Sequence, residues 1–247
     1  MDSLRVRSYS SHTLHQPCPF VVFIVFHHAD ISRFYSPNNT ARSIPWDSKR
    51  DALVYRGACN PTIDPESDKR YLARQHSRGH FCSAALMLDS GIDFGILDAS
   101  QCSDKANEWG KYCQPCCTDT NYTSEYMAAT YRYQLAIDGH GPSYDATVWK
   151  FLSQSTVFLA ELSADTRLEL LYYQYLEEGR DYLRVTPGTL GMALSSCQSQ
   201  PSRCKQIASN GFNKLKAILT WDSLIEATWD ALQHLFVEHE SYSHYAE

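Results

Sequence analysis

Phe20-Val21-Val22-Phe23-Ile24-Val25-Phe26 is an unbroken run of β-branched and aromatic side chains, the pattern of a strand with both faces buried. Ala52-Leu53-Val54-Tyr55-Arg56-Gly57 reads as a short strand stopped by glycine, and residues 91–97 as another. Between them, residues 31–50 are a turn-rich connector, and residues 60–76 are polar, with a helical stretch over 70–74. Residues 100–125 show no clear period. The second half is more regular. A strand over 131–138 runs into Gly139-His140-Gly141-Pro142, after which Ser143 is placed to cap a helix reaching about Ser153. A strand at 155–160, a helix over 165–178 stopped by Gly179, a strand at 181–185 and helices over 188–197, 203–219 and 221–238 follow. Strands alternating with helices in this way predict right-handed crossovers and a parallel α/β sheet of Rossmann-like type. Ligands of such sheets sit beyond the carboxyl ends of the strands, where residues 138–143 would lie.

A chain of 247 residues that is 43% hydrophobic and 20% charged can bury a core, which argues against a disordered or fibrous protein. Its formal charge of −6 and the lack of any Lys/Arg run longer than Lys49-Arg50 or Lys69-Arg70 leave no electrostatic footprint for nucleic acid. The longest apolar run, residues 19–26, is far short of the roughly 20 residues a membrane-spanning helix needs. Nine cysteines favour oxidising surroundings, with Cys197 and Cys204 spaced to staple a small loop. Asn38-Asn39-Thr40 and Asn121-Tyr122-Thr123 fit the pattern of N-glycan acceptors. No cleavable leader is legible before residue 20, so a secreted version of this chain would carry its targeting segment upstream, and the N-terminus reads as incomplete.

Asp138-Gly139-His140-Gly141-Pro142-Ser143 combines glycines that admit a ligand to the backbone with a helix start whose free N–H groups favour phosphate. A tight strand-to-helix turn is the other reading. Tyr144, Asp145, Trp149 and Lys150 fall on the first two turns of that helix; Lys150 is either a cation for a phosphate or a solvated side chain beside a core Trp149. Arg56, next to Gly57, would emerge at a strand end, to meet a phosphate or carboxylate or simply to face solvent. Metal readings of His27-His28 with Asp30, of Cys113, Cys116, Cys117 and Cys102, or of His76 and His80 with Cys82 do not hold, because no ligand spacing matches a known centre; no metal is expected. Disulfides or buried thiols suit those cysteines better. No nucleophile elbow, zincin helix or kinase set is present.

Ile44-Pro45-Trp46-Asp47-Ser48-Lys49 followed by Val54-Tyr55-Arg56-Gly57 resembles the "IPW-x-x-K … F-W/Y-R-G" segment of glycosyltransferase family 90, the family of protein O-glucosyltransferases and capsule-associated xylosyltransferases. Tyr133 to Ser143 through Asp138-Gly139, Leu152 to Val157, Tyr172-Tyr173 to Leu176, Asp181-Tyr182 to Val185, and Ile207-Ala208 to Gly211 resemble its later segments in the same order. The likeness covers about residues 17–247. It implies the C-terminal, donor-binding half of a GT-B enzyme, inverting and independent of metal or other cofactor, that moves glucose or xylose from UDP-glucose or UDP-xylose to a hydroxyl of a protein or glycan acceptor. Residues 43–247 would form the nucleotide-sugar-binding domain, and residues 1–42 a remnant of the acceptor-side domain. The resemblance places Arg56, Gly57, Asp138, Gly139, His140, Gly141, Ser143, Tyr144 and Lys150 around the donor, in the lumen of the endoplasmic reticulum or Golgi.

The sequence departs from the family pattern in two ways. Many members carry Arg where this chain has Asp145, and Lys150 would have to replace that cation. The family's general base lies upstream of the strand matching residues 20–26, where the only acidic residue here is Asp2. The chain therefore reads as a truncated transferase, with a catalytically inactive nucleotide-sugar-binding or scaffolding fragment, and a ligand-free structural domain, as the rival readings.

Overall fold

The computed structural model describes residues 44–57, 69–88, 91–97, 113–118, 125–137, 144–160, 173 and 175–220. The strand expected at residues 20–26 and the helix expected at 221–238 lie outside these. Five strands form one sheet: β1 (Arg50–Gly57), β2 (Ile92–Ile96), β3 (Tyr131–Ala136), β4 (Thr156–Ala160) and β5 (Leu183–Val185). Their order is β2-β1-β3-β4-β5 and all four pairings are parallel, as the alternating pattern predicts. This is a Rossmann-like α/β sheet. The helices are α1 (Lys69–Met87), α2 (Glu125–Ala129), α3 (Tyr144–Leu152), α4 (Leu190–Ser199) and α5 (Pro201–Ile218).

Strand alternation sorts the core onto two faces. Leu53, Tyr55, Tyr133, Leu135 and Phe158 point to one side, where Phe81 and Cys82 of α1 and Leu190, Leu194 and Cys197 of α4 pack on them. Ala136, Val157 and Leu159 point to the other, against Val148, Phe151 and Leu152 of α3 and Leu215 of α5. A register shift between Arg50 and Leu53 lets Tyr131 join Val54 on the α3 side while Tyr133 joins Leu53 on the opposite one. Each fully buried aromatic contributes on the order of 1.5–3 kcal/mol, so Tyr133, Phe81, Phe151 and Phe158 are the main apolar anchors.

Helix α1 is longer than its polar first half suggests. It continues through Gly79 because Phe81, Cys82 and Ala85 turn inward on its second half. Of the helix expected over 165–178, residues 165–172 and 174 lie outside the described residues, and Glu178 is not helical. Tyr173 and Tyr175 are in 3-10 conformation, Glu178 bridges to Tyr182, and the Asp181 carboxylate accepts the Glu177 amide at 2.9 Å. The chain turns there, with Gly179 at φ 79°. This glycine belongs to the turn into β5, a backbone conformation other residues rarely adopt.

Disulfides join Cys82 of α1 to Cys116, in the short 3-10 turn Gln114–Cys116, and Cys197 to Cys204 between α4 and α5. The second is the staple anticipated from spacing. Cys113 and Cys117 are disulfide-bonded as well, which leaves neither as a metal ligand. Among the described residues no helix is long and apolar enough to cross a membrane.

Gly211 sets how closely α5 approaches its neighbours. A Cβ there would collide with the Asp181 carbonyl oxygen and lie 2.9 Å from Phe151 Cδ1. Gly211→Ala is therefore expected to destabilise the fold by about 1–3 kcal/mol in urea unfolding. An unchanged midpoint would show that α5 can shift without cost.

Candidate functional site

The chain leaves β1 toward β2 at one edge of the sheet and later leaves β3 toward β4 on the opposite side. Between β1 and β3 the winding reverses, and the region outside the carboxyl ends of those two strands is the usual ligand position in such sheets. The first segment singled out from sequence ends there, and the described residues on either side of the second lead into and out of it. Arg56 and Gly57 end β1, and Ile137 leads from β3 into residues 138–143, which connect it to the start of α3. Asp138, Gly139, His140, Gly141 and Ser143 lie outside the described residues, as does Asp2. Tyr144 is the first residue of α3, and the positive end of that helix's dipole lies there.

The Arg56 guanidinium does not emerge from the strand end as expected. It folds back along the sheet: Nη1 donates to the carbonyls of Tyr55 at 2.9 Å and Asp93 at 2.7 Å, and Nη2 meets Asp93 Oδ1 at 2.6 Å. The cause is the neighbouring strand. Gly95 pairs with Arg56 and carries no side chain, so the arginine lies across it, its Cδ and Cζ each 3.1 Å from where a Cβ would sit. Asp93 Oδ2 in turn accepts the Tyr131 hydroxyl, and Arg50 donates to that same hydroxyl at 3.2 Å. Burial and Asp93 together raise the Tyr131 pKa. Arg56 Nε is buried without a hydrogen-bond partner. Gly57 is required by Tyr55, whose ring stacks on Phe94 at 4.5 Å and would lie 2.9 Å from a Cβ at position 57.

Lys150 is buried, not solvated, with its ammonium 5.0 Å from the Trp149 ring centroid. It lies six residues beyond Tyr144, about 9 Å along the helix axis, in the turn whose Lys150 carbonyl accepts Ser153 Oγ. The substitute cation thus belongs to the far half of α3. Among the described residues no group of three or more His, Cys, Asp or Glu side chains gathers as a metal site.

Sequence reasoning missed two polar groups. Asp93 follows from its alternation with Phe94 in a short strand, but its pairing to Arg56 depends on register across strands. Lys49 was visible only as part of a motif. It is 3% exposed, and Nζ donates to the Ser153 carbonyl at 2.6 Å and to Ser155 Oγ at 2.9 Å. Gln134 Nε2 reaches the same two serines, and Ser155 Oγ donates to the Tyr131 carbonyl. Neither lysine partner is charged, so desolvation lowers its pKa from an ordinary 10.5 to about 7.

No protein-family model matches the sequence, and no curated protein sequence matches it either. Solved structures are similar to it at the level of fold. Sucrose-phosphate synthase from Thermosynechococcus elongatus is 14% identical with a TM-score of 0.48, over 83% of this chain and 51% of its own. Anabaena HepE, in complex with UDP and glucose, is 12% identical with a TM-score of 0.48, over 84% and 53%. The C-terminal domain of a glycosyl transferase group 1 family protein, LpcC from Francisella tularensis, is 9% identical with a TM-score of 0.42, over 74% and 93%. The chain spans about half the length of the synthase and of HepE.

Two outcomes follow from the polar network. Arg56→Ala and Asp93→Ala, combined in a double-mutant cycle, are expected to show a coupling of about 1 kcal/mol in urea unfolding, and additivity would rule out the pair as a tie between β1 and β2. The Lys49 prediction concerns pH. The unfolded chain holds the lysine proton up to 10.5 and the folded chain only to about 7, so the penalty is complete below 7 and relieved as pH rises between those values. Stability should therefore climb with pH in that window, by up to roughly 1.4 kcal/mol per unit from this group. Lys49→Met should remove that component, as chemical unfolding at pH 7 and pH 9.5 would show.

Proposed function

We propose that the chain carries the nucleotide-sugar-binding half of a GT-B glycosyltransferase. The observation that supports it is topological: β1, which ends in Arg56 and Gly57, and β3, after which the sequence singles out residues 138–143, are the neighbouring strands between which the described sheet reverses its winding. The start of α3 supplies the amide N–H groups of a first helical turn and a positive dipole end, the chemistry that receives a diphosphate. Gly139 and Gly141 let those amides approach it, Ser143 caps the helix, and Asp138, His140 and Tyr144 flank the donor. Arg56, already tied to Asp93, steadies the β1 side and keeps an Nε–H for the ligand. Lys150, deeper along α3, contributes positive potential from below.

The segments resembling glycosyltransferase family 90 narrow the donor to UDP-glucose or UDP-xylose and the acceptor to a hydroxyl of a protein or glycan. The reaction is a single displacement in which the acceptor oxygen attacks the anomeric carbon, its proton passes to a base, and UDP departs with inversion. Charge grows on the leaving diphosphate, so donors already aimed at it lower the barrier without rearranging. No metal is needed where helix amides and cations do this work. The disulfides and the two glycan acceptor patterns support a luminal location, in the endoplasmic reticulum or Golgi. The base is not assigned to any described residue. The second reading is a chain that binds donor without turning it over.

Calorimetric titration with UDP-glucose and UDP-xylose tests donor binding, and UDP release with an acceptor alcohol then separates a transferase from an inactive binder. A helix terminus contributes up to about 2 kcal/mol to a bound anion, and 1.4 kcal/mol is tenfold in affinity. Gly139→Val with Gly141→Val is accordingly expected to weaken donor binding at least tenfold while thermal unfolding stays unchanged. Retained affinity would remove the diphosphate from this corner.

A further inference from the structure

The segment Ile44-Pro45-Trp46-Asp47-Ser48-Lys49 stands out in the sequence, yet the donor site does not use it directly. Its position in the fold gives it another task. Trp46 wedges edge-on against Tyr133 of β3, with ring centroids 6.3 Å apart, and the Arg132 guanidinium covers its other side at 4.5 Å. That contact fixes the chain entering β1 and sends Lys49 inward. Lys49 Nζ then reaches Ser153 and Ser155, the residues that end α3 and begin β4. The Ser153 amide still donates to the Trp149 carbonyl at 2.8 Å, so the carbonyl that Lys49 holds belongs to the last turn of the helix.

A buried ammonium without a carboxylate is expensive to keep. Here the negative end of the α3 dipole stands in for a counter-charge. Replacing the lysine with an apolar residue would be the cheaper solution for packing alone, which points to a role in placement.

We infer that Lys49 is a positioning residue for the donor site: by tying the carboxyl end of α3 to the chain entering β1, it fixes where the amino end of that helix meets the diphosphate. The inference rests on the donor reading above. The lysine sits at one end of a nine-residue helix and the diphosphate at the other, about 13 Å apart. Its charge therefore favours a bound anion electrostatically as well as through geometry.

Ionisable groups on the surrounding elements are engaged elsewhere. Asp47 pairs with Lys205 of α5, Asp51 with Arg132 and Tyr133, Asp93 with Arg56 and Tyr131, and Arg50 with Tyr131. Lys150 of α3 lies against the Trp149 ring, and Asp181 accepts the Glu177 amide. A comparison of wild type with Lys49→Met cancels their contributions.

The test is UDP-glucose titration between pH 6 and pH 8.5, chosen because the charge of its diphosphate diester is constant over that range. Wild-type affinity is expected to fall roughly threefold as Lys49 loses its proton, in keeping with two charges about 13 Å apart at moderate dielectric. Lys49→Met should bind about three- to tenfold more weakly at pH 6 and show no such fall. Ser155→Ala, which removes one of the two contacts and keeps the charge, should weaken binding while preserving the pH dependence; it decides the matter if Lys49→Met does not fold. A folded Lys49→Met that binds like wild type at every pH overturns the inference and leaves the donor site standing. Wild type that takes up no UDP-glucose overturns the donor site, and the inference with it.

Discussion

Every strand of the sheet points the same way, and most of what the molecule can do follows from that constraint. Parallel strands need a crossover between each pair, crossovers of one hand cover both faces, and both faces must therefore be apolar. The carboxyl ends consequently gather on a single side, and the only freedom left is where the winding changes direction. In this chain it changes between β1 and β3. The carboxyl ends of β1 and β3, about eighty residues apart in sequence, lie on neighbouring strands there.

Much of this was legible in advance. β1, β2, β3, β4 and β5 each fall within a residue or two of where the sequence predicts them, and the signal is a continuous apolar run only where both faces are buried, as in β4. The second half of α1 was not legible, since Ser77, Arg78, Gly79 and His80 interrupt its apolar stripe and only contact with the sheet keeps it helical. The end of the helix expected over 165–178 was misread for a related reason. Leu176 continues a helical spacing, but Asp181 captures the backbone at Glu177 and bends the chain instead.

The candidate site was half legible. Local sequence alone offers residues 138–143 as a phosphate corner or a tight turn, a choice that lies outside the described residues, whereas the direction of an arginine depends on what its neighbour across the sheet leaves open. Arg56 lies back because Gly95 makes room and Asp93 offers a carboxylate, two facts that come from strand pairing. Burial of Lys49 and Lys150 was invisible for the same reason: a lysine looks solvated in sequence until the surrounding layers are assembled.

One edge of the sheet shows how the cysteine-rich region contributes beyond cross-linking. Cys117 makes a parallel bridge to Ile96, and the Thr118 amide donates to the Ile96 carbonyl at 3.1 Å, so the segment anchored by Cys82 and Cys116 lies along the outer rim of β2. An uncovered rim of backbone groups is a template on which other polypeptides can add strands. The covalent tie thus doubles as a guard against aggregation. In a reducing host the segment would keep only its backbone bonds to Ile96 and lose a tie worth about 2–4 kcal/mol, so the rim of β2 would be covered less of the time.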